Sequence, residues 1–418
     1  MVMAKQNLSE SLFKPKQKHQ ETSTLIKHRY PRLIAGNYNT LDGNSHGRWY
    51  RMINRLMWIW RGIDPFEIEE VLCRIAITSS QRSHDDLLDT VVGYRKGNWV
   101  FEWSHQAMFW QQKALQTGQT PEAGSFWLKA ANLYSIAGYP HLKGDELSQQ
   151  AVILANKAYE NAAHYSNYQL RKIEFKLKEG GCVTGFLHLP QQLQGPSPTI
   201  LVCGSLDNLQ SDYYRLFRDY LAPLGFAMLT VDMPSIGYSS RLKLTQDTCT
   251  LHQQVIHQLS EIPWIDHTRV GIFGFRFGAN VAVRLAYLEP KRIKGIAVLG
   301  AIVHEWLNNV ERQQNAPAMY LDMFASRLGI DNVDENAFRL ELSCYSLKKQ
   351  GLLGRRCPVP MLAGYWQNDI FSSKEESKLI AMSSMDSKLL AIPATPVYSS
   401  FDKALQETSQ WLKNKICY

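Results

Sequence analysis

The stretch Gly271-Ile272-Phe273-Gly274-Phe275-Arg276-Phe277-Gly278-Ala279-Asn280 carries the reading of the whole chain. An apolar run, Val270 to Phe273, enters a turn in which Gly274 and Gly278 flank Phe275-Arg276-Phe277, and Val281 to Tyr287 leaves it with helical spacing. Glycines so placed mark a tight strand-to-helix turn where a Cβ would clash, and the residue between them projects from its tip. Here that residue is Arg276. Further short apolar runs, Thr199 to Cys203, Ala227 to Val231, Gly295 to Leu299, Pro360 to Ala363 and Leu389 to Ile392, alternate with helical segments. Strand, helix, strand at this spacing predicts a mostly parallel, doubly wound sheet. A hairpin, Leu170 to Leu177 turned at Gly180-Gly181 and returning over Val183 to Leu189, opens the sheet, and a helix over Ser400 to Lys415 closes it through Ala404, Leu405, Trp411 and Leu412.

Before Asn167 the period is different. From Trp49 to His164 apolar residues recur at three and four, as in Ile53, Leu56, Met57, Trp60 and Trp127, Ala130, Leu133, Tyr134, which predicts a mostly helical first half. Ser104 to His164 reads as consecutive helices broken at Gly118 to Pro121 and Gly138-Tyr139-Pro140, somewhat like two tetratricopeptide units. The expected organisation is a flexible N-terminus over 1–24, a helical domain over 25–166 and a sheet domain over 167–418.

With 418 residues, 45% hydrophobic and 20% charged, the chain is long enough for two domains and excludes a disordered or fibrous protein. Its net charge of +8 is spread out. The runs Arg284, Lys291, Arg292, Lys294 and Lys348, Lys349, Arg355, Arg356 are spaced like solvated faces, so no nucleic-acid partner is expected. Seven scattered Cys, none in a C-x-x-C pair, speak against a disulfide framework or a zinc site and suit a reducing cytoplasm. Met1 to Thr24 is polar and Lys-rich, no run approaches a membrane span, and a soluble intracellular protein is expected.

The turn at Arg276 has the layout of the nucleophile elbow of α/β-hydrolases, G-x-S-x-G, with Arg in the place of Ser. A dinucleotide fingerprint does not fit, because that needs G-x-G-x-x-G at the first strand of its unit. In hydrolase order, an acid is expected after a late strand, and Asp369 fills that place after Pro360 to Ala363. The base is expected after the last strand, where the sequence offers Pro396-Val397-Tyr398-Ser399-Ser400, and the last His of the chain is His304. A Ser-His-Asp mechanism is therefore excluded at these positions. Among other histidines, His188 alternates in a strand, His252 and His257 lie on a helix, and His267 precedes a strand, all read as structural.

The loop after Thr199 to Cys203, Gly204-Ser205-Leu206-Asp207-Asn208, stands where hydrolases place an oxyanion N–H, and Phe277 supplies a second such donor. Candidate substrate-binding residues are thus Arg276, Ser205, Leu206 and Phe277, and candidate catalytic residues Arg276, Asp207 and Asp369. A guanidinium at the tip suits bidentate capture of a small carboxylate, while the alternative is an ion pair with Asp207 or Asp369 that locks the site. The Ser- and Gly-rich loop Asp232 to Ser240 is expected to line the same crevice.

Phe273 to Tyr287, FGFRFGANVAVRLAY, and the opening NLSESLFKP, Asn7 to Pro15, resemble the fermentation-respiration switch protein family, FrsA, over essentially the whole chain. The resemblance implies an α/β-hydrolase core with a helical N-terminal cap, a carboxylesterase-like activity on a small carboxylate or ester, and no cofactor. It also implies control of the fermentation–respiration balance through the unphosphorylated glucose-specific enzyme IIA of the sugar phosphotransferase system. One further implied activity is cofactor-independent decarboxylation of pyruvate by Arg276 and Asp207. That reaction leaves an acyl anion, which normally takes a thiamine-type electron sink. Another alternative is a carboxylate sensor without turnover.

Overall fold

The computed structural model describes residues 26–28, 38–39, 43–44, 48–118, 120–191 and 195–418. The expected flexible segment 1–24, with Asn7 to Pro15, lies outside the described residues. An eight-stranded sheet is built from β1 (Gln169–Lys176), β2 (Cys182–Leu189), β3 (Ser197–Cys203), β4 (Ala227–Val231), β5 (Ile265–Phe275), β6 (Ile293–Leu299), β7 (Met361–Trp366) and β8 (Ser387–Ile392). Its order is β8-β7-β6-β5-β3-β4-β2-β1. Strands β3 to β8 run parallel, and β2 is antiparallel to both β1 and β4. This is the α/β-hydrolase fold.

Both faces of the sheet are covered at its centre, which is why β3, β4, β6 and β7 read as apolar runs, whereas the edge strand β1 is mostly exposed. Leu201 and Cys203 pack into one core with α6 (Thr250–Gln258) and α7 (Gly278–Leu288), through Leu251, Val255, Val281 and Leu285. Ile200 and Val202 point the other way and meet Ala404, Leu405 and Leu412 of the last helix, Val397–Ile416. That helix is anchored as its spacing predicts, with Trp411 half-buried beside it. Strand β5 begins earlier than expected and contains His267, because a register shift between Ser197 and Thr199 lets Ile265 pair with Ser197.

The cap holds α1 (Arg55–Trp60), α2 (Pro65–Ile77), α3 (Trp99–Thr117), α4 (Pro121–Gly138) and α5 (Glu146–Ala163). Each of the last four starts where a side chain accepts an orphan N–H: Asp64 from Phe66 at 2.8 Å, Asn98 from Phe101 at 3.2 Å, Thr120 from Ala123 at 3.2 Å and Asp145 from Ser148 at 3.0 Å. The helices break where Gly118 to Pro121 and Gly138 to Pro140 said they would, and α3, α4 and α5 pack as successive neighbours. Residues 78–98 are irregular rather than helical. Their Ser, Asp and Gly content favours turns, with Gly93 and Gly97 at φ +79° and +86°, and Arg82 caps the end of α2 by donating to Ile75 O and Ala76 O at 3.3 Å. No helix among the described residues is long and apolar enough to cross a membrane.

Candidate active site

Arg276 stands at the tip between β5 and α7 with φ +50°, a left-handed conformation that costs a non-glycine residue about 1–3 kcal/mol. The flanking glycines are required by contact. A Cβ on Gly274 would come within 2.9 Å of Ala279 Cα, and one on Gly278 within 2.0 Å of the Cys203 carbonyl oxygen. The second contact also shows that the loop after β3 lies directly against the elbow.

The Arg276 side chain is buried, and its Nη1 donates to Asp369 Oδ2 and, at 3.4 Å, to Gly300 O. Asp369 lies in the loop after β7, where hydrolase order placed an acid, and its Oδ1 accepts from Phe371 N at 2.9 Å and Ser372 N at 3.3 Å. Trp366 and Phe371 flank the guanidinium, with ring centroids 5.8 and 5.7 Å from its carbon. The acid thus meets the elbow side chain directly, with no imidazole between them.

Arg276, Ser205 and Asp207 line one cavity of about 50 Å³, together with Trp60 of the cap, Tyr213, Phe275, Trp366 and Phe401. Ser205 is buried with no partner for its Oγ among the described residues, while its N–H donates to Tyr213 OH at 3.1 Å. Asp207 is buried too, and no hydrogen bond or ion pair of its carboxylate is found among the described residues. Among the described residues, no His lines this cavity.

The side chains of two residues predicted to bind substrate, one of them through its backbone N–H, lie outside the cavity lining. Leu206 is buried outside the cavity lining, and its carbonyl accepts from Arg327 Nε at 3.0 Å and Nη2 at 2.8 Å. Phe277 also lies outside the lining, its ring edge-on to Phe324 at 5.0 Å. The loop Asp232 to Ser240 does not reach this crevice. Ser235, Ile236, Gly237, Tyr238 and Ser240 line a separate cavity of about 330 Å³ against α5, and Ser235 Oγ donates to Leu242 O at 2.8 Å. The loop is pinned by Asp232, which accepts from Gln210 N at 2.7 Å and Tyr238 N at 2.9 Å; burial pushes this carboxyl up to about 7. Pro396 to Ser400, where a base was sought, is the cap and first turn of the last helix.

The histidines are structural in their contacts. His188 bonds Tyr159 OH at 2.5 Å and Met228 O at 3.3 Å, and burial lowers it to about 4. His257 pairs with Glu289 at 2.7 Å, and His304 with Ser346 Oγ at 2.7 Å. Of the basic runs, Arg284 is not a solvated residue: it is largely covered and binds Asp247 and Gln350.

Sequence reasoning missed Arg327, in α8 (Ala318–Leu328). It is fully buried, donates to Leu206 O, to His141 O at 2.6 Å and to Pro140 O at 2.8 Å, and so ties the cap to the loop carrying Asp207. Burial lowers it to about 9, against which the nearby Asp207 charge acts. Its helical surroundings carry no signal that separates it from a surface Arg. Tyr213, Arg61 and Asp212 were likewise invisible, since they come from two elements far apart in the chain, the end of α1 and the turn Gln210–Tyr213.

The family described as "Esterase FrsA-like" matches residues 3–417. The chain is 87% identical over 415 residues to the esterase FrsA of Photorhabdus laumondii, covering 99% of this chain and 100% of that one. It is 60% identical over 414 residues to the esterase FrsA of Yersinia enterocolitica, with the same two shares covered. Among solved structures, 2,6-dihydroxy-pseudo-oxynicotine hydrolase superposes with a TM-score of 0.67 at 16% identity, over 86% of this chain and 95% of its own, a likeness of fold. The chain belongs to the esterase FrsA-like family and is an esterase-like protein of the α/β-hydrolase fold.

Proposed function

We propose that the protein hydrolyses small esters without a Ser-His-Asp triad, by water attack in the cavity beneath the cap. The observation that carries this reading is the Asp207 carboxylate, which shares that cavity with Arg276 and the Ser205 hydroxyl and, like that hydroxyl, has no hydrogen-bond partner found among the described residues. A buried carboxylate with no donor is a poor structural element but a suitable general base. Asp207 takes a proton from water, the resulting hydroxide adds to the ester carbonyl, and the proton passes to the leaving alkoxide as the acid forms. Arg276 and the Ser205 hydroxyl face the negative charge that develops on the carbonyl oxygen. Asp369 holds the guanidinium in place.

The test is a paired assay of purified wild type, Arg276→Ala and Asp207→Asn on short-chain esters. Hydrolysis that survives in both variants overturns the reading. Decarboxylation of pyruvate by the same two residues is the runner-up, favoured by a cavity of only about 50 Å³, and release of acetaldehyde and CO2 followed by NMR would replace ester hydrolysis as the outcome. If neither product forms, Arg276 is either the ligand-binding residue of a carboxylate sensor or a structural residue, and its pairing with Asp369 supports the structural role. In each case the regulatory partner we propose, from the family resemblance, is the unphosphorylated glucose-specific enzyme IIA in the cytoplasm. Co-purification that depends on its phosphorylation state tests it.

A further inference from the structure

The elbow cavity, at about 50 Å³, has room for a few water molecules, and an ester with both acyl and alcohol parts exceeds it. A substrate must therefore extend into the neighbouring space or widen the cavity. Trp60, Arg61 and Asp212 separate this cavity from a second of about 160 Å³, which Ser125, Leu128, Tyr214 and Arg218 separate in turn from a third of about 250 Å³. All three lie on the seam between cap and sheet, and Ser125 and Arg218 are exposed at the rim.

The partition is an ion pair across that seam. Arg61, which ends α1 in the cap, places Nη1 at 3.1 Å from Oδ1 of Asp212, which follows β3, with side chains 6% and 2% exposed. Asp212 is also held by the Leu209 N–H at 2.9 Å, whereas Arg61 Nε has no hydrogen-bond partner among the described residues. Arg61 is the less anchored half. Outside it the charge is uneven. The second cavity is lined by Lys129, Arg215 and Arg218, and Arg215 at 3.0 Å and Arg218 at 2.5 Å share one carboxylate, Asp219.

We propose that Arg61, paired with Asp212, gates the route from the cap–sheet seam to the elbow cavity, and that the cationic cavity outside the gate selects esters carrying a negative charge. The inference rests on the ester-hydrolase reading for its substrate and on the cavities alone for its route. An anionic ester would be concentrated at the rim by the unbalanced cations, and displacement of Arg61 toward it would join the second cavity to the first.

The experiment compares mono-4-nitrophenyl succinate, an anion, with neutral 4-nitrophenyl butyrate. It uses wild type, Arg218→Gln, and the double variant Arg61→Met with Asp212→Asn, which leaves no unpaired buried charge. At low salt, wild type should favour the anionic ester, Arg218→Gln should reduce that preference about threefold, and the double variant should raise kcat/KM for the neutral ester by about the same factor. A second readout needs no turnover: acrylamide quenching of Trp366, which lines the elbow cavity, taken as the difference from Trp366→Phe in each background. It should increase in the double variant. Equal kcat/KM for both esters in wild type overturns the anion selection. A folded double variant with unchanged quenching overturns the gate. Increased quenching with no hydrolysis of either ester supports the gate and removes the hydrolase reading.

Discussion

Nη1 of Arg276, at the tip of the elbow, donates to Oδ2 of Asp369, from the loop after β7, with the two side chains 5% and 0% exposed. The acid that fold order places there holds an arginine directly. Removing one partner of a buried pair strands the other charge in a low-dielectric site, a loss of about 3–5 kcal/mol. Arg276→Leu, which strands the Asp369 carboxylate, is therefore expected to lower stability by about that amount, Asp369→Leu also to lower it, and the double variant Arg276→Leu with Asp369→Leu to lose less than the sum of the two. Urea unfolding of the three proteins checks this; additive losses would show that the two residues do not act as a pair.

Asp207 is expected to weigh more on activity than on stability. No hydrogen bond of its carboxylate is found among the described residues, so Asp207→Asn strands no donor, and its one cost is the loss of the charge that favours the cationic form of buried Arg327. The variant should lose less stability than Arg276→Leu while losing about 100-fold or more in ester hydrolysis. A variant that is both active and less stable would make Asp207 structural.

Arg327 reaches three carbonyl groups from the cap and the loop after β3, at 2.6 to 3.0 Å. Arg327→Met leaves those buried acceptors unsatisfied at about 1–3 kcal/mol each. Arg327→Lys is expected to rescue little, because one ammonium lacks the planar fork that spans Leu206, His141 and Pro140. Urea midpoints of the two variants, with ester hydrolysis measured alongside, check the claim. Full rescue by Lys would count against the geometric role.

His252 tests the acid side of the stability profile. It is fully buried, neither ring nitrogen has a partner among the described residues, and burial lowers it from 6.5 to about 4. Its folded value lies below its unfolded one, so the unfolded chain binds the extra proton and stability falls as pH drops from 6.5 towards 4. Between pH 7 and 5 this one group removes about 2 kcal/mol. Burial also raises Asp232 and Glu376 to about 7, and these act with the opposite sign, losing stability as pH rises towards that value. The contribution of His252 is therefore read as a difference: His252→Leu should lose less stability than wild type between the two pH values. Equal losses would refute it.

Much of the fold was legible because the central strands β3, β4, β6 and β7 are buried on both faces. Ala227 to Val231 matches its expected limits, and the other runs of the sheet are extended by one to five residues at one or both ends where pairing continues past the apolar segment, as at Ile265 in β5, while Leu177 and Pro360 fall just outside their strands. The irregular stretch 78–98 was misread because apolar spacing on either side of it continues at helical period. The loop Asp232 to Ser240 was assigned to the wrong cavity, since turn chemistry marks a loop without saying which way it folds.

Local chemistry by itself determined the elbow. Two glycines, an apolar strand and a helix left one conformation for Arg276, and the contacts of Gly274 and Gly278 show why no Cβ is tolerated there. Only the tertiary structure decided what Arg276 meets. Asp207 and Asp369 stood open as partners in the sequence, and the choice depends on the placement of β7 beside β6 and of β3 beside β5 in the sheet. The same holds for Arg61 with Asp212 and for Arg327 with its carbonyls. These contacts join residues far apart in the chain, and their energy depends on burial and distance, which the order of residues does not contain.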